Sequence, residues 1–169
     1  MDRARQIVAE IETLRQDGRS LNDILECAMR MLHDSNPRFH WTGIYELFPD
    51  NMLHLGPFVG APTDHVFIGV GQGVCGTAVA LGQNINLPDV SREPNYLACS
   101  SETKSELVVL IRRGDTIFAQ IDIDSHDFDA FDAASEALVQ LVADALAECY
   151  AGRRPASRVL DRKNSDRAA

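Results

Sequence analysis

The sequence predicts an α+β domain: a central antiparallel sheet with helices from both ends of the chain packed on one face, and the other face available for a pocket. Three observations carry that prediction. Apolar residues recur at helical spacing near both ends of the chain. Between them the period falls to two, with tight-turn signals separating the segments. The 169 residues, 45% hydrophobic and 24% charged, suffice for one full core and are too few for two generous ones.

Residues 3–16 place Ile7, Val8, Ile11 and Leu14 on one helical stripe, which Asp17-Gly18 ends. Ser20, with Asp23 three residues later, reads as the N-cap of a second helix. Leu21, Ile24, Leu25, Ala28 and Leu32 form its buried face, Cys27 packs within it, and Asn36-Pro37 stops it. Residues 40–48 then read as a strand with Trp41, Gly43, Tyr45 and Leu47 on one face. Pro49-Asp50-Asn51 turns the chain into a second arm over 52–58, and residues 66–70 suggest a short third strand. A helix over 73–81 is closed by Gly82, residues 84–87 are extended, and a loop runs to about Lys104. Residues 106–112 and 116–124 flank Arg113-Gly114-Asp115 as a hairpin. Its second arm places Ile117, Ala119, Ile121 and Ile123 on one face and Gln120, Asp122 and Asp124 on the other. The longest helix runs from about Asp129 to Tyr150, striped by Phe131, Ala134, Leu138, Leu141, Val142, Ala145 and Leu146, with Cys149 packing in its last turn.

Residues 1–152 are expected to form the single domain, followed by a basic, disordered tail over 153–169. That tail holds Arg153, Arg154, Arg158, Arg162, Lys163 and Arg167 against Asp161 and Asp166, a net +4, so the total of −9 leaves −13 on the body. Such an acidic body argues against nucleic acid, whose phosphates are met by clustered cations. No apolar run is long enough to span a bilayer and the first residues lack a signal-peptide core, so a cytoplasmic protein is expected. Four cysteines without a Cys-x-x-Cys pair point to thiols rather than to a disulfide framework.

Cys99 is the unusual thiol among them. It lies in the polar, turn-rich segment 96–106, seven residues before Glu106 at the mouth of an apolar strand. Reactive cysteines sit where solvent and charge reach them, and structural ones sit in apolar periodic segments. Cys75 has its own reason to be reactive, since it begins a helix whose amides favour a thiolate; burial as a packing residue is equally open. It lies in Gly71-Gln72-Gly73-Val74-Cys75-Gly76, which matches a dinucleotide fingerprint but lacks the parallel βαβ unit that motif needs. A calcium loop starting at Asp122 fails because Asp127 and Ala133 stand where Gly and Glu are required. The histidines and cysteines show no zinc spacing, and no nucleophile elbow is present, so no metal is expected. Asp122 and Asp124 on one strand face, beside Glu106 on the next strand, repel each other unless a proton or cation satisfies them. A ligand bearing an ammonium group suits that cluster.

Six motifs then occur in order: His40-Trp41-Thr42-Gly43-Ile44-Tyr45, Leu55-Gly56-Pro57-Phe58-Val59-Gly60, Gly73-Val74-Cys75-Gly76-Thr77-Ala78, Pro88-Asp89-Val90, Tyr96-Leu97-Ala98-Cys99 and Ile121-Asp122-Ile123-Asp124-Ser125. Together they resemble the free methionine-(R)-sulfoxide reductases, single-domain proteins of GAF fold. The resemblance implies an oxidoreductase that reduces free methionine sulfoxide with no bound cofactor or metal and is recycled by a thioredoxin-like reductant. Cys99 matches the family's attacking cysteine; Glu106, Asp122 and Asp124 match its pocket carboxylates; Trp41 and Tyr45 match its aromatic walls.

The family commonly carries a further cysteine ten residues before Cys75, often the one that resolves the sulfenic acid, and here that position is His65. Resolution then falls to Cys75 or to an external thiol. Leu110 also stands where the family often has proline, a departure without an evident reading. Two other roles stay open: a GAF ligand-binding or redox-sensing module that keeps the pocket without turnover, and a homodimer built on the terminal helices.

Overall fold

The computed structural model describes residues 2–97 and 100–152. The N-terminal stripe forms α1 (Asp2–Gln16), which buries Ala4, Ile7 and Ile11, and is followed by α2 (Leu21–His33). At the start of α2 the Ser20 hydroxyl accepts from the Asp23 amide at 3.1 Å, and the Asp23 carboxylate accepts from the Ser20 amide at 3.3 Å. Two amides that a helix start exposes are met in this way.

The strands are β1 (Trp41–Leu47), β2 (Met52–Val59), β3 (Phe67–Gly69), β4 (Ile85–Leu87), β5 (Ser105–Arg113) and β6 (Thr116–Ser125). Between β3 and β4 lies α3 (Gly73–Leu81), and α4 (Ala133–Ala151) comes last. The strands form one sheet in the order β3-β2-β1-β6-β5-β4, each neighbouring pair antiparallel. The β1–β6 pair joins the two hairpin regions. Without it Trp41 and Asp124 would have no reason to meet.

On one face, α1, α2 and α4 enclose a core that includes Ile11, Leu25, Ile44, Val109, Ile121 and Leu146. Each such side chain contributes about 1.5–3 kcal/mol when fully buried, so this layer dominates stability. Two elements depart from the sequence reading. The last helix begins at Ala133, where the Asp132 carboxylate accepts from the Ser135 amide at 2.8 Å, and not near Asp129. Its buried arc runs through Val139, Val142, Ala143, Leu146 and Ala147, which leaves Ala134 and Leu141 exposed. The helix packs on β5 and α1 together, and that double contact turns it away from the stripe the sequence suggests.

The second departure is a β-bulge. The β5–β6 register shifts between Ile111 and Arg112, so Phe118 is an extra residue in β6. Phe118 therefore packs on the helix side, stacked with Tyr150 at 5.7 Å, and Ile117 joins the opposite cluster.

The opposite face carries α3, whose Val74, Cys75 and Ala78 pack with Tyr45, Val108 and Leu110. The glycines of 71–76 make that approach possible. Gly71 and Gly73 have φ of +88° and +60°, and a Cβ at Gly76 would overlap the Gly69 carbonyl oxygen. They serve a close crossing of turn and helix.

Candidate active site

Register across the sheet arranges the pocket face in rows. Trp41, Asp124, Glu106 and Leu87 are successive direct partners in the first row. Gly43, Asp122, Val108 and Ile85 form the second, and Tyr45, Gln120 and Leu110 the third. Direct partners in antiparallel strands share a face, so all three carboxylates point to the side that α3 covers. Cys75 enters from α3: its thiol donates to Glu106 Oε1 at 3.9 Å. The Cys75 sulfur and one oxygen each of Glu106 and Asp122 lie within 4.8 Å of one another.

These acids are almost wholly removed from water, with Glu106 5%, Asp122 1% and Asp124 4% exposed. Asp122 shares hydrogen bonding with Cys75 and Glu106, which draws its pKa back against the effect of burial. Burial disfavours the charged form, and it is the largest cause of a raised pKa at all three. Glu106 is pushed well above the carboxylate range, first by burial and then by the charges of Asp122 and Asp124. Burial lifts Asp122 to about 7. Asp124 rises by burial and by repulsion from Asp122. The cluster thus holds protons near neutral pH, which lets it act as an acid or exchange a proton for a bound cation. A thiol with two carboxyls is also a donor set a metal ion could use. No spacing along the chain could reveal it, because its members come from α3, β5 and β6.

Trp41 forms one wall. Its ring lies against Gly43, where any Cβ would overlap it, stacks on Phe58 at 5.5 Å, and donates from Nε1 to the Ala61 carbonyl at 3.0 Å. Tyr45 is fully buried 6.3 Å from that ring and donates its hydroxyl to the His65 carbonyl at 2.8 Å. Position 65 therefore adjoins the aromatic wall. Asn95 ties the loop after β4 to the start of α3 through the Gly71 carbonyl and the Thr77 hydroxyl, at 3.1 and 3.2 Å. Leu97 packs on Gly73.

Of the residues singled out from sequence, Trp41, Tyr45, Cys75, Glu106, Asp122 and Asp124 come together. Cys99 lies outside the described residues, as do residues 153–169. Cys27 is half-buried in α2 and Cys149 is buried in α4, both outside this cluster. A cleft of about 350 Å³ lined by Asn84, Asn86, Glu136 and Gln140, among others, opens between β4, β5 and α4 and does not reach the acids. Gln120 completes the pocket face and was legible only as a face-mate of Asp122. It is fully buried, and neither amide atom has a partner among the described residues.

The GAF domain family matches residues 12–149. A free methionine-R-sulfoxide reductase of Escherichia coli is 40% identical over 114 residues, covering 67% of this chain and 68% of that protein. The structure of a type II free methionine-R-sulfoxide reductase from Thermoplasma acidophilum superposes with a TM-score of 0.72 at 38% identity, covering 76% of this chain and 94% of that one. A free methionine-R-sulfoxide reductase from Neisseria meningitidis, solved in complex with its substrate, gives a TM-score of 0.78 at 29% identity, covering 86% of each chain.

Proposed function

The chain belongs to the GAF domain family and, within it, to the free methionine-R-sulfoxide reductases, and from that premise we propose that it reduces free L-methionine (R)-S-oxide to methionine. The observation that carries the reading is the buried trio Glu106, Asp122 and Asp124, joined by a thiol and walled by Trp41 and Tyr45. Such a trio exceeds what a packing role requires. Its burial is costly, and only a proton or a cationic ligand relieves it.

In this reading Glu106 and Asp124, direct partners across β5 and β6, bind the substrate ammonium, which only a free amino acid presents beside its sulfoxide. Trp41 and Tyr45 enclose the S-methyl group. The Cys99 thiolate attacks the sulfoxide sulfur while a protonated carboxyl supplies a proton to the oxygen. The sulfur gains two electrons, methionine departs, and the oxygen remains on Cys99 as a sulfenic acid. Cys75 or an external thiol then displaces water to give a disulfide, and a thioredoxin-type dithiol returns both thiols. Neighbouring negative charge raises a thiol pKa, so protonated acids, or an ammonium arriving among them, keep Cys99 reactive. The setting is a cytoplasm that keeps thiols reduced; among the described residues no helix is long and apolar enough to cross a membrane.

A coupled thioredoxin–NADPH assay on each free sulfoxide epimer tests this. Turnover of the R epimer that disappears in Cys99→Ser is expected; no turnover of that epimer, or undiminished activity in the variant, sinks the proposal. His65 favours one alternative, a GAF module that binds the sulfoxide without cycling. Calorimetric binding with no methionine released under reducing conditions would select it.

A further inference from the structure

Gln120 is the polar residue of the pocket face to which the reduction so far gives no task. Its side chain is completely buried, and neither Oε1 nor Nε2 has a hydrogen-bond partner among the described residues. Its direct partners across β1 and β5 are Tyr45 and Leu110, an aromatic ring and an aliphatic chain. A buried amide with both ends unmet is costly, and an unbranched apolar side chain would remove that cost. Asp122, two residues along the same strand and on the same face, meets, among the described residues, only Cys75 and Glu106 of the same cluster. Side chains at that spacing stand about 6.8 Å apart at their bases, so one atom held between their tips lies within reach of both.

A sulfoxide oxygen suits two such groups. It only accepts hydrogen bonds, so it can take an N–H from a carboxamide and an O–H from a protonated carboxyl. We propose that Gln120 donates from Nε2 to the sulfoxide oxygen, beside the proton that Asp122 donates to the same atom. The inference rests on the reductase reading and names the oxygen-binding side of that site. As the Cys99 thiolate attacks sulfur, the sulfur–oxygen bonding electrons move onto oxygen, and both donors meet the charge that develops there. The proton from Asp122 stays with the oxygen as it passes to Cys99, giving sulfenic acid and methionine. Epimer choice follows as well. Trp41 and Tyr45 fix the methyl group, Glu106 and Asp124 fix the amino-acid end, and Gln120 fixes the oxygen. Three fixed substituents define the configuration at sulfur.

Calorimetry in a Cys99→Ser background, which cannot attack, provides the test. The R sulfoxide and methionine differ by the one oxygen. Gln120→Met should weaken sulfoxide binding about tenfold or more and leave methionine affinity unchanged. Should Gln120→Met not fold, NMR of the Gln120 side-chain amide reports on the same contact, with proton signals that shift on adding sulfoxide and stay in place with methionine. Equal loss for both ligands, no loss for either, or amide signals that move alike with both would overturn the assignment. The two failures separate. A wild-type protein that turns over neither epimer overturns the reductase reading and this inference with it. Turnover of the R epimer with an unchanged preference for sulfoxide in Gln120→Met overturns this inference alone.

Discussion

Glu106 meets Asp124 directly across β5 and β6 and Asp122 diagonally, in surroundings that exclude water. An acid whose pKa is higher in the folded chain than in the unfolded one binds its proton longer when folded. The stability it contributes is complete below the unfolded value, near 4, and is lost as pH rises through the folded value. For Asp122 that window runs up to about 7, and for Glu106 and Asp124 the shift has the same sign. Exposed acids work in the opposite direction at lower pH. The Ser91 hydroxyl lowers the pKa of Asp89 and the Ser135 amide that of Asp132, so their stabilisation fades only as pH falls through those lowered values. The melting temperature of the ligand-free protein should therefore fall between about pH 5 and pH 8, and Glu106→Gln should flatten that slope by removing one acid. Differential scanning calorimetry across this range is the check; a melting temperature that rises with pH would contradict paired, protonated acids. The same variant loses a group proposed to bind the substrate ammonium, so its kcat/KM for the R epimer should drop about a hundredfold or more.

At the level of elements, the site depends on how closely α3 lies to the turn after β3. Gly76 allows that contact, since its missing Cβ would occupy the space of the Gly69 carbonyl oxygen. Backbone cannot yield as a side-chain tip can. Gly76→Ala should cost about 1–3 kcal/mol in urea denaturation and lower activity by displacing Cys75 next to it. Gly114 is the control: at φ +57° with nothing within 4 Å, its alanine variant should lose only about 1 kcal/mol and keep activity. Equal losses in both would mean that α3 adapts. The helices and strands themselves were legible, because period and turn chemistry are local signals, and so was the carboxylate face of β6, with Glu106 at the start of the next strand. The departures came from tertiary geometry. The bulge at Phe118 reversed Ile117, and the double contact of α4 exposed Leu141. The β1–β6 pairing that sets Trp41 beside Asp124 joins distant segments, and no local pattern specifies it. The solvation of a side chain is likewise invisible in a sequence, so Gln120 could be placed on its face but not recognised as unmet.

Across the whole molecule, charge and core are divided unequally. The buried hydrophobic side chains run from Ala4 to Cys149, while residues 153–169 supply a net +4 to a body of −13. We propose that residues 1–152 fold and act as the complete unit. A chain ended after Gly152 should then melt within about 1–2 °C of the full chain at 0.15 M salt, where charges more than about 8 Å apart are largely screened. Removing the whole tail takes the net charge from −9 to −13, so any loss should appear at low ionic strength, through self-repulsion, and vanish as salt is added. Melting curves of both chains at low and physiological salt, together with kcat/KM for the R epimer, separate the possibilities. A loss of several degrees that persists at high salt would mean that the tail packs on the domain. Lost activity at unchanged stability would mean that the tail serves the reaction itself, by contacting the substrate or the reductant.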